Sequence, residues 1–185
     1  RPTSIKRTPE SVKQYLTNLP ELEVNGKKEL IINGAGVGLD GLVCYKVNKS
    51  KQTKNKSNYF LNTVSAFFEF KPVKANFKVD GLEFSENKVW FASAMYAKYF
   101  GGGMKIAPNK ERNDGKIELV IVKNIPKFAL VFLLPTVYLG WHKLFSRWVK
   151  FYRGTNIEVD FNGEKTYLQQ DGEDEFPVES FKISI

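Results

Sequence analysis

The spacing of apolar and polar residues changes several times along this chain, and each change marks an expected element. Glu10 to Leu19 reads as a short helix entered through Pro9, whose fixed φ suits a first helical turn. From Lys28, KELIINGAGVGLDG reads as a strand running into a glycine-rich turn. NYFLNTVSAFFEF returns to a helical period: Phe60, Val64 and Phe67 share one face, Leu61 and Phe68 another, and Pro72 closes the helix. VKANFKVDG then alternates and ends on Asp80-Gly81, a hairpin-type turn pair.

NKVWFASAM is almost continuously apolar, as in a strand buried on both faces, whereas KIELVIV alternates with Ile117, Leu119 and Ile121 on one side. IPKFALVFLLPTVYLGWH reads as a helix interrupted or kinked at Pro135 and stopped near Gly140. WVKFYRG, NIEVDFNG, KTYLQQDG and VESFKISI follow as four short strands separated by Gly, Asn and Asp turns. Many short strands with two substantial helices predict a mainly β (α+β) fold, a β-sandwich or barrel with helical insertions.

Composition narrows the function only a little. A chain of 185 residues with 42% hydrophobic content can bury a sizeable core. The net charge of +8 suggests an anionic partner and does not choose among nucleic acid, anionic lipid and phosphorylated substrate. Cys44 is the only cysteine, which excludes an internal disulfide and a cysteine-based zinc site and fits a reducing compartment. His142 is the only histidine, so a multi-His metal site is excluded and a Ser-His-Asp triad has one candidate. The longest apolar run, Phe128 to Trp141, falls short of the ~20 residues that span a bilayer. Residues 46–58 hold five lysines and no acid. That run is either a solvated loop or a face for anionic lipid, where each lysine adds roughly 1 kcal/mol.

Four glycine- or acid-rich stretches carry candidate chemistry. Gly34, Gly36 and Gly38 form GxGxG rather than GxGxxG, which points to close backbone approach or bulges within a sheet. Gly101 to Gly103 lead to Pro108 and a polar loop instead of a helix, so a tight turn is expected rather than a phosphate cradle. NKERNDG lacks the spaced carboxylates of an EF-hand; Asp114 before Gly115 marks a turn, with metal binding left open. QQDGEDEF gathers four acids from Asp171 to Glu175, a setting for a general base or a solvated acidic turn.

Taken together, INGAGVGLDG, YFGGGMKIAPNKERNDGKIELVIV, LLPTVYLGWH and QQDGE, in this order and spacing, resemble bacterial soluble diacylglycerol kinases and sphingosine kinase-like lipid kinases. The match is to their C-terminal half and runs from about Lys28 to near the C-terminus. It implies the β-sandwich C-terminal domain of that fold over residues 27–185, with residues 1–26 as a preceding linker or remnant. The ATP-binding half, with its GGDGT block, is expected to be missing from this chain, which begins at Arg1.

Carried over by motif, Asp114 would give a carboxylate to a structural Mg²⁺, flanked by the backbone oxygens of Glu111 and Lys116. Glu173 would be the base that takes the proton from a lipid hydroxyl, with Asp171 beside it tuning its charge and orientation. MYAKYF stands where many members carry an Asn-Gly pair, and Glu111 replaces a commonly small polar residue. The resemblance implies ATP as co-substrate, a diacylglycerol-like lipid acceptor, and a cytoplasmic protein peripherally associated with anionic membrane. The partner domain would be its own ATP-binding half, without which the chain is expected to be inactive. No nucleic-acid partner is expected, and a homodimer is left open. The rival is a non-enzymatic lipid- or membrane-binding module of the same fold. An RNA-binding β-domain would need an aromatic sheet face beside the lysines, which the sequence does not offer.

Overall fold

The computed structural model describes residues 9–50, 65–100 and 103–185. Helix α1 (Pro9–Tyr15) precedes strands β1 (Glu21–Val24), β2 (Lys27–Leu30) and β3 (Gly34–Gly38), and helix α2 (Leu39–Ser50) follows. Residues 65–69 are helical. Next come β4 (Val73–Val79), β5 (Leu82–Met95), β6 (Ile117–Lys123) and helix α3 (Lys127–Leu139). The chain ends with β7 (Val149–Gly154), β8 (Asn156–Asp160), β9 (Thr166–Gln170), β10 (Glu173–Val178) and β11 (Ser180–Ser184).

All the ladders are antiparallel, in the order β10-β9-β3-β5-β4-β8-β11-β1-β2, with β6 also on β5 and β7 on β6. The long β5 makes this sheet fold on itself. Its first half pairs β4, and its second half lies between β3 and β6. Lys88 takes φ 51° at the changeover, and the registers with β4 and β6 shift beside it. Such irregularities let one strand pass between two packed layers.

Alternation along the strands then fills two cores. Between the layers lie Leu22, Val37, Phe77, Ala92, Ile117, Leu119, Ile121, Val159, Leu168 and Phe181, all buried. Burying each large apolar side chain contributes roughly 1.5–3 kcal/mol before the entropy cost. On the outer face of the β3-β5-β6 layer, Trp90, Met95, Val120 and Val122 meet Leu39 and Leu42 of α2, Phe67, and Leu130, Leu133 and Val137 of α3. Thus β6 buries both faces, where its alternation suggests one. The expected mainly β sandwich with helical insertions is the fold found.

Several local expectations change. GAGVG is itself a fully buried strand, β3, and not a turn. Its glycines face α2 and the neighbouring β5 backbone: an added Cβ at Gly34 would lie 2.7 Å from the Ala94 carbonyl. Helix α2 follows at once, so Lys46 and Lys49 are helical and not in a loop. Lys46 is engaged by Ser65 Oγ at 2.9 Å and by Glu69. Lys51, Lys54 and Lys56, with Phe60, Leu61 and Val64, lie outside the described residues. Helix α3 runs on through Pro135 to Leu139 and stops where Gly140 adopts φ 74°. In β1, Leu22 and Val24 are buried in the inter-layer core, so the sheet begins at Glu21, inside the segment expected to precede the domain.

Candidate functional site

The two acid-bearing motifs converge on one connection, Ile31–Gly34, between β2 and β3. Asp171 and Gly172 form the two-residue turn between β9 and β10, with φ 49° and 98°. The left-handed values explain the Asp-Gly pair. The Asp171 carboxylate accepts the backbone N–H groups of Ile32 (2.5 Å), Asn33 (2.7 Å) and Gly34 (3.3 Å). From the other side α2 holds the turn: Asn48 Nδ2 donates to the Gly172 carbonyl at 3.0 Å and to Asp174 at 2.5 Å. Glu175 accepts from Asn25 Nδ2 at 2.9 Å. Three of the four clustered acids are therefore committed to backbone or amide donors. Glu173, the exposed first residue of β10, pairs with Gln170 through the ladder, but its carboxylate makes no hydrogen bond or ion pair among the described residues. A carboxylate so placed can accept a proton from a docked hydroxyl, whereas that of Asp171 is occupied in fixing the turn.

The second motif, residues 109–116, is locked from inside. Lys110 is buried, and its ammonium bonds Asp114 Oδ1 at 2.7 Å and the Glu111 carbonyl, 5.1 Å from the centre of the Tyr96 ring. Asp114 Oδ1 also accepts the Lys116 N–H at 3.0 Å, while Oδ2 is bonded by Arg153 Nη2. Burial pushes the Asp114 carboxyl up, but these donors leave it below its ordinary range. Burial lowers Lys110 in turn, against the pull of Asp114. Buried Glu118 is pushed up by desolvation, with Arg153 and Lys110 opposing. The Glu111 side chain is exposed and reaches Lys98 at 3.3 Å.

Arg112 ties this loop to the connection shared with Asp171. Its guanidinium bonds the Ile32 carbonyl and stacks on the Tyr15 ring at 3.6 Å. Tyr96 donates to Asn113 Oδ1 at 2.8 Å, and its N–H reaches the Asn33 carbonyl at 2.8 Å.

The arrangement does not fit the implied Mg²⁺. A hard dication needs several free oxygens at about 2.0–2.1 Å, and both oxygens of Asp114 are already bonded by cationic donors. Among the described residues, no three Asp, Glu, His or Cys side chains converge to hold a metal. Of the glycine run, the structure describes Gly103 and the residues on either side. Phe100 and Met104 exchange backbone hydrogen bonds of 3.1 and 3.0 Å around it, and Gly103 has φ 96°. Gly101 and Gly102 lie outside the described residues.

One polar cluster escaped the sequence reading. Asp40, in the first turn of α2, accepts from Ser93 Oγ at 3.2 Å and Gln169 Nε2 at 3.1 Å. Gln169 Oε1 in turn accepts the Gly172 N–H at 3.3 Å, so the cluster reaches the Asp171-Gly172 turn. Desolvation pushes the Asp40 carboxyl up to about 7, against those two hydrogen bonds. An added Cβ at Gly36 would overlap this carboxylate, which makes glycine the readable trace of it. His142, by contrast, is buried with Nε2 2.9 Å from the Ile106 carbonyl, a structural contact rather than a triad.

Beyond these sites α3 is apolar on both sides. Leu130, Leu133 and Val137 face the core, while Phe128 (81%), Phe132 (79%), Val131, Leu139, and Trp141 and Leu144 just beyond remain exposed. No helix among the described residues is long and apolar enough to cross a membrane.

Residues 33–181 match the family described as the YegS C-terminal NAD kinase beta sandwich-like domain. A diacylglycerol kinase of Mycobacterium tuberculosis (strain H37Rv) is 23% identical over 155 residues, which are 84% of this chain and 50% of that protein. A diacylglycerol kinase of Bacillus subtilis (strain 168) is 27% identical over 154 residues, 82% of this chain and 48% of that protein. The chain thus spans about half the length of these relatives. The crystal structure of a putative diacylglycerol kinase from Bacillus anthracis str. Sterne shares the fold, with a TM-score of 0.62 and 21% identity over 90% of this chain and 52% of that one. With most of its length matched, the chain belongs to the YegS C-terminal, NAD kinase-like β-sandwich domain family.

Proposed function

We propose that this chain is the lipid-acceptor half of an ATP-dependent lipid kinase. The match of residues 33–181 to a domain that makes up half of relatives named diacylglycerol kinase carries the reading. In this scheme Glu173 is the general base. It takes the proton of a lipid hydroxyl as that oxygen bonds to the γ-phosphorus of ATP; the bond from phosphorus to the β,γ-bridging oxygen breaks, and ADP leaves. Mg²⁺ bound with ATP would neutralise phosphate charge on the half that binds the nucleotide. Asp171 acts as a positioning residue, because its carboxylate fixes the turn through three backbone N–H groups. The exposed apolar face of α3 supplies a surface for the acyl chains or the bilayer that holds them.

The test is phosphoryl transfer from ATP to diacylglycerol vesicles by this chain joined to a family ATP-binding half. The joined protein is expected to be active and this chain alone inactive. Glu173→Gln keeps size and hydrogen bonding but cannot take the proton, and should lower kcat by roughly 10²–10⁴ with ATP binding unchanged. Normal turnover by that variant would remove Glu173 as the base. Vesicle binding by the joined protein with no transfer to any lipid hydroxyl would favour the non-enzymatic binding module.

A further inference from the structure

We infer that the ammonium of Lys110 is the resident cation of the Asp114 turn, standing where the family resemblance places Mg²⁺, so that this chain needs no divalent ion there. Two oxygens assigned to the metal, the Asp114 carboxylate and the Glu111 carbonyl, are the two that Lys110 Nζ bonds. The side chain of Lys110 is 0% exposed. An ammonium buried that far must be paired, and here it has a carboxylate, a carbonyl and the face of Tyr96. Lysine also reaches the site by the shortest route, from within the same turn, four residues before its carboxylate partner.

The remaining valences of Asp114 point the same way. Arg153 takes Oδ2, and the Lys116 N–H shares Oδ1, so each carboxylate oxygen already accepts from a cationic side chain. A dication between Asp114 and the Glu111 carbonyl would lie against Nζ, whose positive charge would repel it at that distance. Lys110 must leave before a metal can enter, and its stem is packed in the interior.

The consequence is a turn locked without a soluble ion. The loop it closes carries Arg112, which bonds the Ile32 carbonyl, and Asp171 holds the N–H groups of Ile32, Asn33 and Gly34. A covalently supplied cation therefore fixes the connection on which the Asp171-Gly172 turn rests, at any magnesium concentration.

Thermal unfolding of the chain itself tests this, and no phosphoryl transfer enters the readout, so the kinase reading stands or falls separately. For the unmodified chain, Tm in millimolar MgCl₂ and in EDTA should coincide, and calorimetric titration with MgCl₂ should show no site. Lys110→Ala leaves Asp114 without its buried partner and should lower Tm in EDTA by at least about 5 °C. Saturating MgCl₂ should restore roughly 5–10 °C to that variant. Lys110→Ala/Asp114→Ala should not respond. A rise of Tm with MgCl₂ in the unmodified chain would overturn the inference, even if the variant fails to fold. So would a Lys110→Ala chain as stable in EDTA as the unmodified one.

Discussion

At the scale of single residues, Asp40 is the group whose chemistry the fold alters most. Its carboxyl is pushed up to about 7 in the folded chain from an ordinary value of 3.8. Between those limits the folded protein holds a proton that the unfolded chain releases, so stability must fall as pH rises. The contribution is complete below about pH 4 and is lost as pH climbs through 7. Asp40→Asn, which mimics the neutral acid, should flatten this part of the profile. Unfolding midpoints at pH 5 and pH 8 check it, and an equal drop in both proteins would exclude Asp40 as the source.

The same residues show what the sequence could and could not reveal. Asp114, Asp171 and Glu173 are legible because each neighbours a glycine in a turn whose residues are adjacent in the chain. Their partners are not. The N–H groups that hold Asp171 come from 137 to 139 residues away, and only the folded sheet brings them in. Lys110 was passed over for a different reason: in NKERNDG it reads as one more solvated charge, and burial of a lysine has no local signature.

At the scale of elements, period and turn chemistry located most strands, and α2 was missed. Gly38 and Gly41 flank its start and depress helix propensity there, and tertiary contact supplies what propensity lacks. Gly41 is the clearest case. An added Cβ there would overlap the Tyr167 carbonyl of β9, a backbone atom that cannot turn aside. Gly41→Ala should therefore cost about 1–3 kcal/mol by overpacking, although alanine is the better helix former. Gly26→Ala is the contrast: it meets nothing within 4 Å, but its φ of 74° imposes only local strain, about 1 kcal/mol. Urea midpoints compare the two. If Gly41→Ala is neutral or stabilising, α2 does not rest on β9 at that distance.

At the scale of the whole molecule, one surface is unlike the rest. Phe68 lies beside Lys127 at the start of α3, and Phe128, Val131, Phe132, Leu139, Trp141 and Leu144 extend the exposed apolar area. Most soluble helices turn one stripe inward and charge the other, but α3 carries no charge after Lys127. Exposed Lys143 and Arg147 follow its end in the sequence, on a chain of net charge +8. Apolar side chains edged by cations suit an anionic bilayer surface, where the two attractions add. Binding to phosphatidylserine vesicles should exceed binding to phosphatidylcholine vesicles and weaken as salt screens the charge. Phe128→Gln/Phe132→Gln removes two large apolar side chains with no packing role in the core. It should weaken vesicle binding by about a hundredfold while leaving Tm nearly unchanged. A variant that binds vesicles normally but no longer self-associates, or no longer holds the ATP-binding half, would make this face a protein interface instead.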